Sequence, residues 1–436
     1  MGNFVANYAK TIAMKKLTWL WCLVALVLVG SCVSGQGEKK VAFVQHKGTK
    51  LVIDGKDYKF VGTNFWYGAI LGSEGQGGDR KRLCQELDSL HALGVDNLRV
   101  LVGSDGPRGE QDKVEPTLQE APGQYNDTIL AGLDFLLSEM GKRDMKAVLY
   151  LNNSWEWSGG FGYYLEQVGK GKTPLPNSAG YDAYVDHVAM FAANDSAHQL
   201  FYDYVRYILG RTNRYTNVAY VDDPAIMAWQ IGNEPRPFGK GDENFEAFAG
   251  WLRETSALIR SLDKNHLISV GGEGFVGCDG DTTLFRKISA DPNIDYITIH
   301  MWPTHWGWAR KDSCEADVEN ACAESMKYAM AHVDIAKELD KPVVIEEFGY
   351  PRNGFKFSPD VATTARDRYY DFVLDMVANE PVLAGCNFWA WGGLPHPLHE
   401  RWQPGDPYLG DPAQEPQGLF CVFLSDTSTI QILRKY

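Results

Sequence analysis

A repeated alternation of short apolar segments with longer amphipathic segments constrains this chain more than any other feature of its sequence. The short segments are rich in Val, Ile, Leu and aromatic residues and are bounded by turn residues, which predicts strands. The longer segments carry apolar residues three and four positions apart, which predicts helices. The predicted strands cover residues 60–66, 97–101, 146–151, 226–231, 267–271, 296–300, 343–347 and 386–390. The predicted helices cover residues 79–93, 128–142, 181–209, 245–261, 323–339, 362–379 and 427–435.

Eight strands that alternate with helices predict an α/β fold, a single-domain (β/α)8 TIM barrel. The length of 436 residues fits, because such barrels run from about 250 to over 400 residues when loops are inserted. A short β-hairpin is predicted before the first barrel strand, from residues 41–45 and Lys50–Ile53 with Asp54-Gly55 as the turn. Long βα loops are predicted at residues 104–125 and 391–420.

The first 31 residues predict an export signal rather than part of the fold. Lys15 and Lys16 precede an apolar run, residues 17–29, that is too short to span a bilayer comfortably. Small residues then lead to Cys32, a pattern similar to the bacterial lipoprotein site, where cleavage before the cysteine accompanies its lipidation. Residues 32–40 would be a flexible tether to a folded domain at residues 41–436.

This leader predicts an exported protein with a lipid anchor. The expected location is the outer membrane of a Gram-negative bacterium, on the cell surface or on the periplasmic face. Secretion after an ordinary signal peptide, with Cys32 incidental, is the alternative. The oligomeric state is left open by the sequence.

The net charge and the cysteines exclude several kinds of partner. A net charge of -14 argues against nucleic acid, because phosphate binding needs a basic face. The sequence has no Cys-x-x-Cys motif and no cluster of Cys and His residues at the spacing of a metal site. Because export permits disulfides, Cys314 and Cys322, which flank a polar loop, are the best candidate pair.

Two predicted strands end in carboxylates. The strand at 226–231 leads into Asn233 and Glu234, and the strand at 343–347 ends in Glu346 and Glu347. Cleavage of a glycosidic bond needs such a pair, one acid for the leaving oxygen and one carboxylate across the sugar. The alternative is that these glutamates are structural and pair with basic side chains. Side chains alternate along a strand, so only one of Glu346 and Glu347 faces the barrel mouth, and the pattern does not say which.

Other polar and aromatic residues also fall at predicted strand ends, where barrels of this kind carry their chemistry. Asparagine, arginine and histidine can hold sugar hydroxyls and carboxylates, and tryptophan rings stack on pyranose faces. The candidates are Trp66, Arg99, Asn153, Asn233, His300, Trp302 and Trp389.

Seven motifs in chain order resemble the β-mannanases of glycoside hydrolase family 5, in clan A. They are GTNFWYG, NLRVLVGSDG, LYLNNSWEWSGG, WQIGNEPRP, ITIHMWP, VVIEEFG and FWAWGG, and they extend from about residue 60 to the C-terminus. The resemblance implies that Glu234 is the acid/base and Glu347 the nucleophile of a catalytic domain at residues 41–436. It implies no cofactor and no metal.

The same resemblance implies further roles at the strand ends. Arg99 would contact the nucleophile, Asn233 would bind the sugar 2-hydroxyl, and Trp389 would lie under the reacting sugar. Arg236 resembles an arginine of the leaving-group subsites, with an exposed ion pair as the alternative. One departure is that the family usually has His-x-Tyr where this chain has His300-Met301-Trp302, which leaves the role of Trp302 open.

The expected function is therefore retaining hydrolysis of β-1,4-mannosidic bonds in mannan, galactomannan or glucomannan, with internal cleavage as the leading mode. An exo-acting mannosidase or mannobiohydrolase and a β-1,4-glucanase are the alternatives on the same barrel, because loops set specificity. A surface lipoprotein that only binds glycans is the alternative outside the enzymes. Two opposed carboxylates argue against it.

Overall fold

Eight parallel strands form one sheet that curves into a barrel. The computed structural model describes residues 42–110 and 112–436. Each barrel strand pairs in parallel with its neighbours, in the order β5-β4-β3-β2-β1-β8-β7-β6. The strands are β1 Phe60–Asn64, β2 Val95–Leu101, β3 Lys146–Tyr150, β4 Ile226–Gln230, β5 Leu267–Ser269, β6 Ile297–Met301, β7 Val343–Phe348 and β8 Leu383–Phe388.

The two outer strands of this sheet, β5 and β6, meet where the barrel closes. No ladder pairs them within the described sheet. Instead, the backbone N–H of Asp295 donates to the carbonyl of Ile268 at 2.9 Å, and the N–H of His300 donates to the carbonyl of Glu273 at 3.2 Å. The closure therefore depends on a few bonds, each of which joins a residue of one of these strands to a residue just outside the other.

A helix follows each barrel strand, which confirms the predicted (β/α)8 barrel. The principal helices are α1 Arg80–Ala92, α2 Asp127–Gly141, α3 Asp195–Leu209, α4 Asp242–Leu262, α5 Thr282–Ser289, α6 Val318–Leu339, α7 Thr364–Asn379 and α8 Thr427–Leu433. Shorter helices in the loops are Gly68–Leu71, Gly160–Gln167, Pro176–Ala179 and Tyr181–Val188.

Helix α3 shows how the apolar spacing becomes packing. Its buried residues include Phe201, Tyr204, Val205 and Ile208, which recur at three and four positions and so lie on one face. Burying each such side chain contributes about 1.5–3 kcal/mol. The prediction of one continuous helix over 181–209 is wrong, because the chain leaves helical geometry before Asn194, whose side chain accepts from the N–H of Ala197 and starts a new helix.

Three short antiparallel strands precede the barrel, Gln45–Lys47, Lys50–Ile53 and Lys56–Asp57. The predicted hairpin is thus extended by one strand. Asp54-Gly55 does form a turn, but it joins the second strand to the third, and Gly48 with φ +61° lies in the turn between the first two. Two further small sheets pair Gln119–Ala121 with Gln124–Tyr125, and Trp391–Gly393 with Val422–Phe423.

Residues 43–436 form one unit. The predicted signal peptide, the lipidation of Cys32 and the tether at 32–40 lie outside the described residues and stay predictions. Among the helices that the structure describes, none combines the length and apolarity needed to cross a membrane.

The predicted disulfide between Cys314 and Cys322 is wrong in this structure. In the described part of the chain both are free thiols. The thiol of Cys314 lies 3.0 Å from a carboxylate oxygen of Glu315, whereas Cys322 lies on the buried face of α6. Although Cys314 and Cys322 flank the same polar loop in sequence, their sulfur atoms are not bonded in the structure.

Candidate active site

A cavity of about 490 Å3 opens at the carboxyl ends of the barrel strands. Glu234, four residues beyond the end of β4, and Glu347, within β7, both line it. Both carboxylates are largely buried, with residue exposures of 9% and 3%. Glu234, His300 and Glu347 each place one polar atom within 4.8 Å of the others. The two strand-end glutamates of the sequence thus face each other across a few ångströms.

The carboxylate of Glu347 is held by two N–H donors. Arg99 donates through Nη1 to Oε1 at 2.6 Å, and Trp302 donates through Nε1 to Oε2 at 3.1 Å. The indole of Trp302 therefore occupies the position of a hydrogen-bond donor to this carboxylate, which resolves its open role in geometric terms. A neutral N–H and a guanidinium both favour the ionised form of Glu347.

Arg99 is fully buried and organises the floor of the cavity. Besides Glu347, its guanidinium donates to Gln230 Oε1 at 2.7 Å, to Asn233 Oδ1 at 2.8 Å and to Asn64 Oδ1 at 3.0 Å. Four acceptors around one rigid planar fork fix the orientation of all of them. Arg99 lies beneath the cavity as a positioning residue. It contacts the carboxylate of Glu347, as the family resemblance implied.

Glu346 and Glu347 are separated by the alternation expected along a strand. Glu346 is fully buried inside the barrel, where Gln230 Nε2 donates to it at 2.6 Å and the hydroxyl of Tyr296 at 3.1 Å. Glu347 alone of the two lines the cavity. The structure therefore settles which of the adjacent glutamates faces the barrel mouth.

The carboxyl group of Glu234 has different partners. Trp155 Nε1 donates to Oε2 at 2.6 Å, and His300 Nδ1 lies 2.7 Å from Oε1. The backbone of Glu234 has φ +49°, a left-handed conformation that directs the side chain toward the cavity. Trp155 stands within the motif LYLNNSWEWSGG, and nothing in its local pattern singles it out as a partner of Glu234.

Burial dominates the titration of the pair. It raises the pKa of Glu234, with the charge of Arg236 as the largest opposing effect. Burial and then the negative charge of Glu234 raise the pKa of Glu347, and Arg99 opposes both. Burial and the charge of Arg99 lower the pKa of His300, which keeps its ring neutral. Two close buried carboxyls share one proton, and the guanidinium that donates to Glu347 favours the ionised form of that carboxyl.

The remaining predicted residues divide into two groups. Asn233, Arg236, Trp302 and Trp389 line the cavity. His300 and Asn153 lie beneath it, and Asn153 accepts from Asn233 Nδ2 at 3.2 Å, so it supports its neighbour.

Arg236 is not an exposed ion pair. It binds Glu273 through two bonds of 2.5 and 2.6 Å, and its guanidinium lies 5.1 Å from the centre of the Trp155 ring. Glu273, which no motif indicated, also lines the cavity. Arg236 therefore packs against the tryptophan that donates to Glu234, on the same side of the cavity.

The prediction that Trp66 binds sugar is wrong. Trp66 is 1% exposed, its Nε1 donates to the carbonyl of Gly410 at 2.8 Å, and its ring packs edge-on against Tyr408 at 5.4 Å. The loop at residues 391–420 covers it. The strand-end position was correct, but the residues that cover Trp66 are more than 340 positions away in sequence.

Two buried carboxyls within about 5 Å of each other on a (β/α)8 barrel define a class of protein. This separation is typical of retaining glycoside hydrolases, whereas inverting enzymes hold their carboxyls about 6.5–9.5 Å apart. The class is that of the retaining glycosidases built on a barrel.

The chain belongs to glycoside hydrolase family 5. The model described as GH family 5 beta-mannosidase-like matches residues 41–436. A family 5 mannosidase from Rhizomucor miehei, crystallised in complex with mannosyl-fructose, has a TM-score of 0.82 and 33% identity, over 90% of this chain and 96% of that chain. Mannan endo-1,4-beta-mannosidase 7 of Arabidopsis thaliana is 28% identical over 389 residues, 86% of this chain and 84% of that protein. Mannan endo-1,4-beta-mannosidase 1 of Oryza sativa subsp. japonica is 29% identical over 372 residues, 81% and 78% of the two chains.

Proposed function

We propose that this protein hydrolyses β-1,4-mannosidic bonds by double displacement, with Glu347 as nucleophile and Glu234 as acid/base. The observation that carries the mechanism is the opposed pair, within 4.8 Å, with an arginine on one carboxylate only. The mannosidase and mannanase relatives support the substrate class.

In the first step the Glu347 carboxylate attacks the anomeric carbon while Glu234 gives its proton to the glycosidic oxygen. The carbon–oxygen bond to the leaving sugar breaks, and an ester forms between Glu347 and the mannosyl group. Esterification removes the negative charge of Glu347, so the pKa of Glu234 falls and its carboxylate can act as a base. In the second step Glu234 takes a proton from water, the water oxygen attacks the anomeric carbon, and the ester bond breaks.

A substrate panel tests the proposal. The mature domain would be incubated with mannobiose, linear mannan, galactomannan, glucomannan and soluble cellulose, next to the Glu347→Ala variant. We expect turnover of the mannose-containing substrates by the wild-type protein alone. Cleavage of cellulose without cleavage of any mannoside would transfer the same mechanism to a glucanase, and binding without turnover would make the protein a glycan binder.

Stereochemistry tests the double displacement separately. Two inversions at the anomeric carbon give a product that keeps the β configuration. Proton NMR of the fresh product, recorded before mutarotation, should show the β anomer first. Initial appearance of the α anomer would show that Glu347 does not form an ester.

We propose exo action, in place of the internal cleavage expected first. The support is the loop at residues 391–420, which covers Trp66 and brings Pro412, Gln414 and Glu415 to the cavity. Because the loop covers Trp66, less of the cleft is open to a long mannan chain. Products released from mannohexaose over time would distinguish the modes, because exo action gives one short product from the start and internal cleavage gives a ladder.

The export signal supports a separate proposal, that lipidation of Cys32 anchors the protein to the outer membrane. The pattern of small residues before Cys32 carries it. Cys32→Ser should move the protein from the membrane fraction to the soluble fraction of the producing cell. Unchanged fractionation would contradict the anchor and favour an ordinary signal peptide.

A further inference from the structure

Glu273 and Arg236 form an ion pair at the cavity, on the side of Trp155. Both residues of the pair line the cavity. The guanidinium of Arg236 donates to the two carboxylate oxygens of Glu273 at 2.5 and 2.6 Å, and the side chains of Arg236 and Glu273 are 22% and 2% exposed. A carboxylate whose two oxygens both accept from a guanidinium is ionised, and the two parallel bonds fix the plane of the arginine. The pair therefore holds one positive and one negative charge in a fixed geometry.

The backbone of Glu273 is held independently of its carboxylate. Its carbonyl accepts from the N–H of His300 at 3.2 Å and from the hydroxyl of Tyr328, on α6, at 2.7 Å. The same hydroxyl accepts from the N–H of Val276 at 3.1 Å. Because β6 and α6 both hold this segment, a change of the Glu273 carboxylate to an amide should leave the segment in place.

The cation of the pair lies close to the acid/base. The guanidinium carbon of Arg236 is 5.1 Å from the centre of the Trp155 ring, and Trp155 Nε1 donates to Glu234 Oε2 at 2.6 Å. The charge of Arg236 is the largest effect that opposes the raised pKa of Glu234. An uncompensated cation at this position would therefore favour loss of the proton from Glu234.

Glu273 supplies the compensating charge. A general acid must hold its proton at the working pH, so an uncompensated Arg236 would impair Glu234. Burial and then the negative charge of Glu234 raise the pKa of Glu273, which shows that the two carboxyls interact. This interaction acts in both directions, so an ionised Glu273 favours the protonated form of Glu234. With both charges present, the Arg236–Glu273 pair presents little net charge to the acid/base.

The other groups around Glu234 do not replace this compensation. The titratable and charged groups that face Glu234 are Arg99, Tyr181, Arg236, Glu273, His300, Glu347 and Glu415. Arg99 is bonded to Glu347, and His300 is neutral because burial lowers its pKa. Burial, as the largest cause, raises the pKa of Glu415 to about 8 and also raises the pKa of Tyr181, so both groups hold their protons near neutral pH.

We propose that Glu273 is a positioning residue for the acid/base: it fixes Arg236 beside Trp155 and cancels its charge, so that Glu234 keeps the proton that it gives to the leaving oxygen. This inference rests on the proposed hydrolysis with Glu234 as acid/base. Glu273 acts through Arg236, which donates to both of its carboxylate oxygens. Replacement of Glu273 should therefore change the pH dependence of the reaction.

The pH dependence of kcat/KM on mannobiose tests the inference in the full-length protein. The basic limb of this profile reports loss of the proton from Glu234 in the free protein. Glu273→Gln leaves the charge of Arg236 uncompensated, so the limb should move to lower pH and kcat/KM above the limb should fall by about 10-fold or more. The double variant Glu273→Gln/Arg236→Gln removes both charges, and its limb should return to the wild-type position. A purely structural role of Glu273 would not be restored by removal of a second side chain.

A second substrate separates weakened proton donation from general damage. The 4-nitrophenol group leaves with less help from a proton than a sugar does. Above the limb, the loss in Glu273→Gln should therefore be smaller for 4-nitrophenyl β-mannoside than for mannobiose.

Asp279→Asn is the matched control. Asp279 is an exposed carboxylate whose charge also acts on Arg236, but no hydrogen bond joins the two in the described chain. Asparagine accepts the left-handed backbone of this position, with φ +52°. The basic limb of Asp279→Asn should stay at the wild-type position.

The outcomes separate this inference from the proposed function. An unmoved basic limb in a folded Glu273→Gln, equal losses on the two substrates, or a double variant whose limb stays where the single variant puts it overturns the inference alone. A wild type that hydrolyses no mannoside overturns the proposed function, and the inference falls with it.

Thermal unfolding shows which variants are folded. If Glu273→Gln is not folded, Glu273→Ser removes the same charge and leaves room for water beside Arg236. Its basic limb should also move to lower pH, and a limb at the wild-type position would overturn the inference.

Discussion

The floor of the cavity and its loop wall, residues 412–415, differ in how their polar atoms are satisfied. In the floor, formed by Arg99, Asn233, Glu234, His300 and Glu347, both carboxyls have two partners each. Of its side-chain atoms, His300 Nε2 is covered and has no partner in the described chain. The wall has Gln414 and Glu415 with covered oxygens that have no partner in the described chain. The hydrogen bonds of the floor carboxyls are organised before substrate arrives, as electrostatic catalysis requires, while the described chain supplies no such partners to these oxygens of the wall.

Replacing Glu347 should give the largest effect, because it removes the reacting atom of the floor. Glu347→Ala should lower kcat/KM by about 10^5-fold, the scale seen when a covalent nucleophile is removed. Steady-state kinetics on 4-nitrophenyl β-mannoside measures it. The matched control is the adjacent Glu346→Gln, which keeps the size of the side chain inside the barrel. This variant should lower kcat/KM far less. Equal losses would mean that the two glutamates act together.

Arg99→Lys should have the second-largest effect, because one ammonium group cannot replace a guanidinium that donates to four acceptors. We expect kcat/KM to fall about 10^3-fold, together with a loss of about 1–3 kcal/mol in the free energy of unfolding for an acceptor left unsatisfied. Chemical denaturation and kinetics measure the two effects. Arg253→Lys, an exposed position on α4, is the control. A fully active Arg99→Lys would show that the floor is not held by this arginine.

Trp302→Phe removes one donor from Glu347 without touching its charge partner. We expect a loss of about 10-fold in kcat/KM. Loss of a hydrogen bond to the ionised form raises the pKa of Glu347, so the acid limb of the pH profile should move to higher pH. Trp302→Tyr, which keeps a donor, should move it less. An unmoved acid limb in Trp302→Phe would contradict the bond.

Trp66→Phe should give the smallest effect on catalysis, because Trp66 lies outside both floor and wall. Loss of the bond to Gly410 and of ring volume should cost about 1–3 kcal/mol in the free energy of unfolding. The value of kcat/KM should stay within about twofold of wild type. A large loss of activity with unchanged stability would return Trp66 to the sugar-binding surface.

The floor could be predicted from the sequence because its residues stand at the ends of apolar strands. Such ends converge in a barrel, so Glu234, His300 and Glu347 needed no knowledge of distant contacts. The choice between Glu346 and Glu347 needed either the family resemblance or the structure.

The wall could not be predicted in the same way. Residues 391–420 are rich in Gly and Pro and have no apolar period to fix their path. Burial of Trp66 by Gly410, the bond from Trp155 to Glu234 and the free thiols of Cys314 and Cys322 all depend on where loops meet in space. Their partners are set by tertiary packing rather than by local pattern.

The closure between β5 and β6 has a consequence for heat inactivation. The barrel is one sheet whose outer strands meet at a seam, and the bond from His300 N to the Glu273 carbonyl crosses this seam directly beside Glu234. Local opening of such a seam costs less free energy than unfolding the whole chain. Separation at this seam moves His300 away from Glu234 while the other strand pairs stay formed. Mild heating should therefore switch off proton transfer reversibly before the far-UV circular dichroism changes, and cooling should restore it.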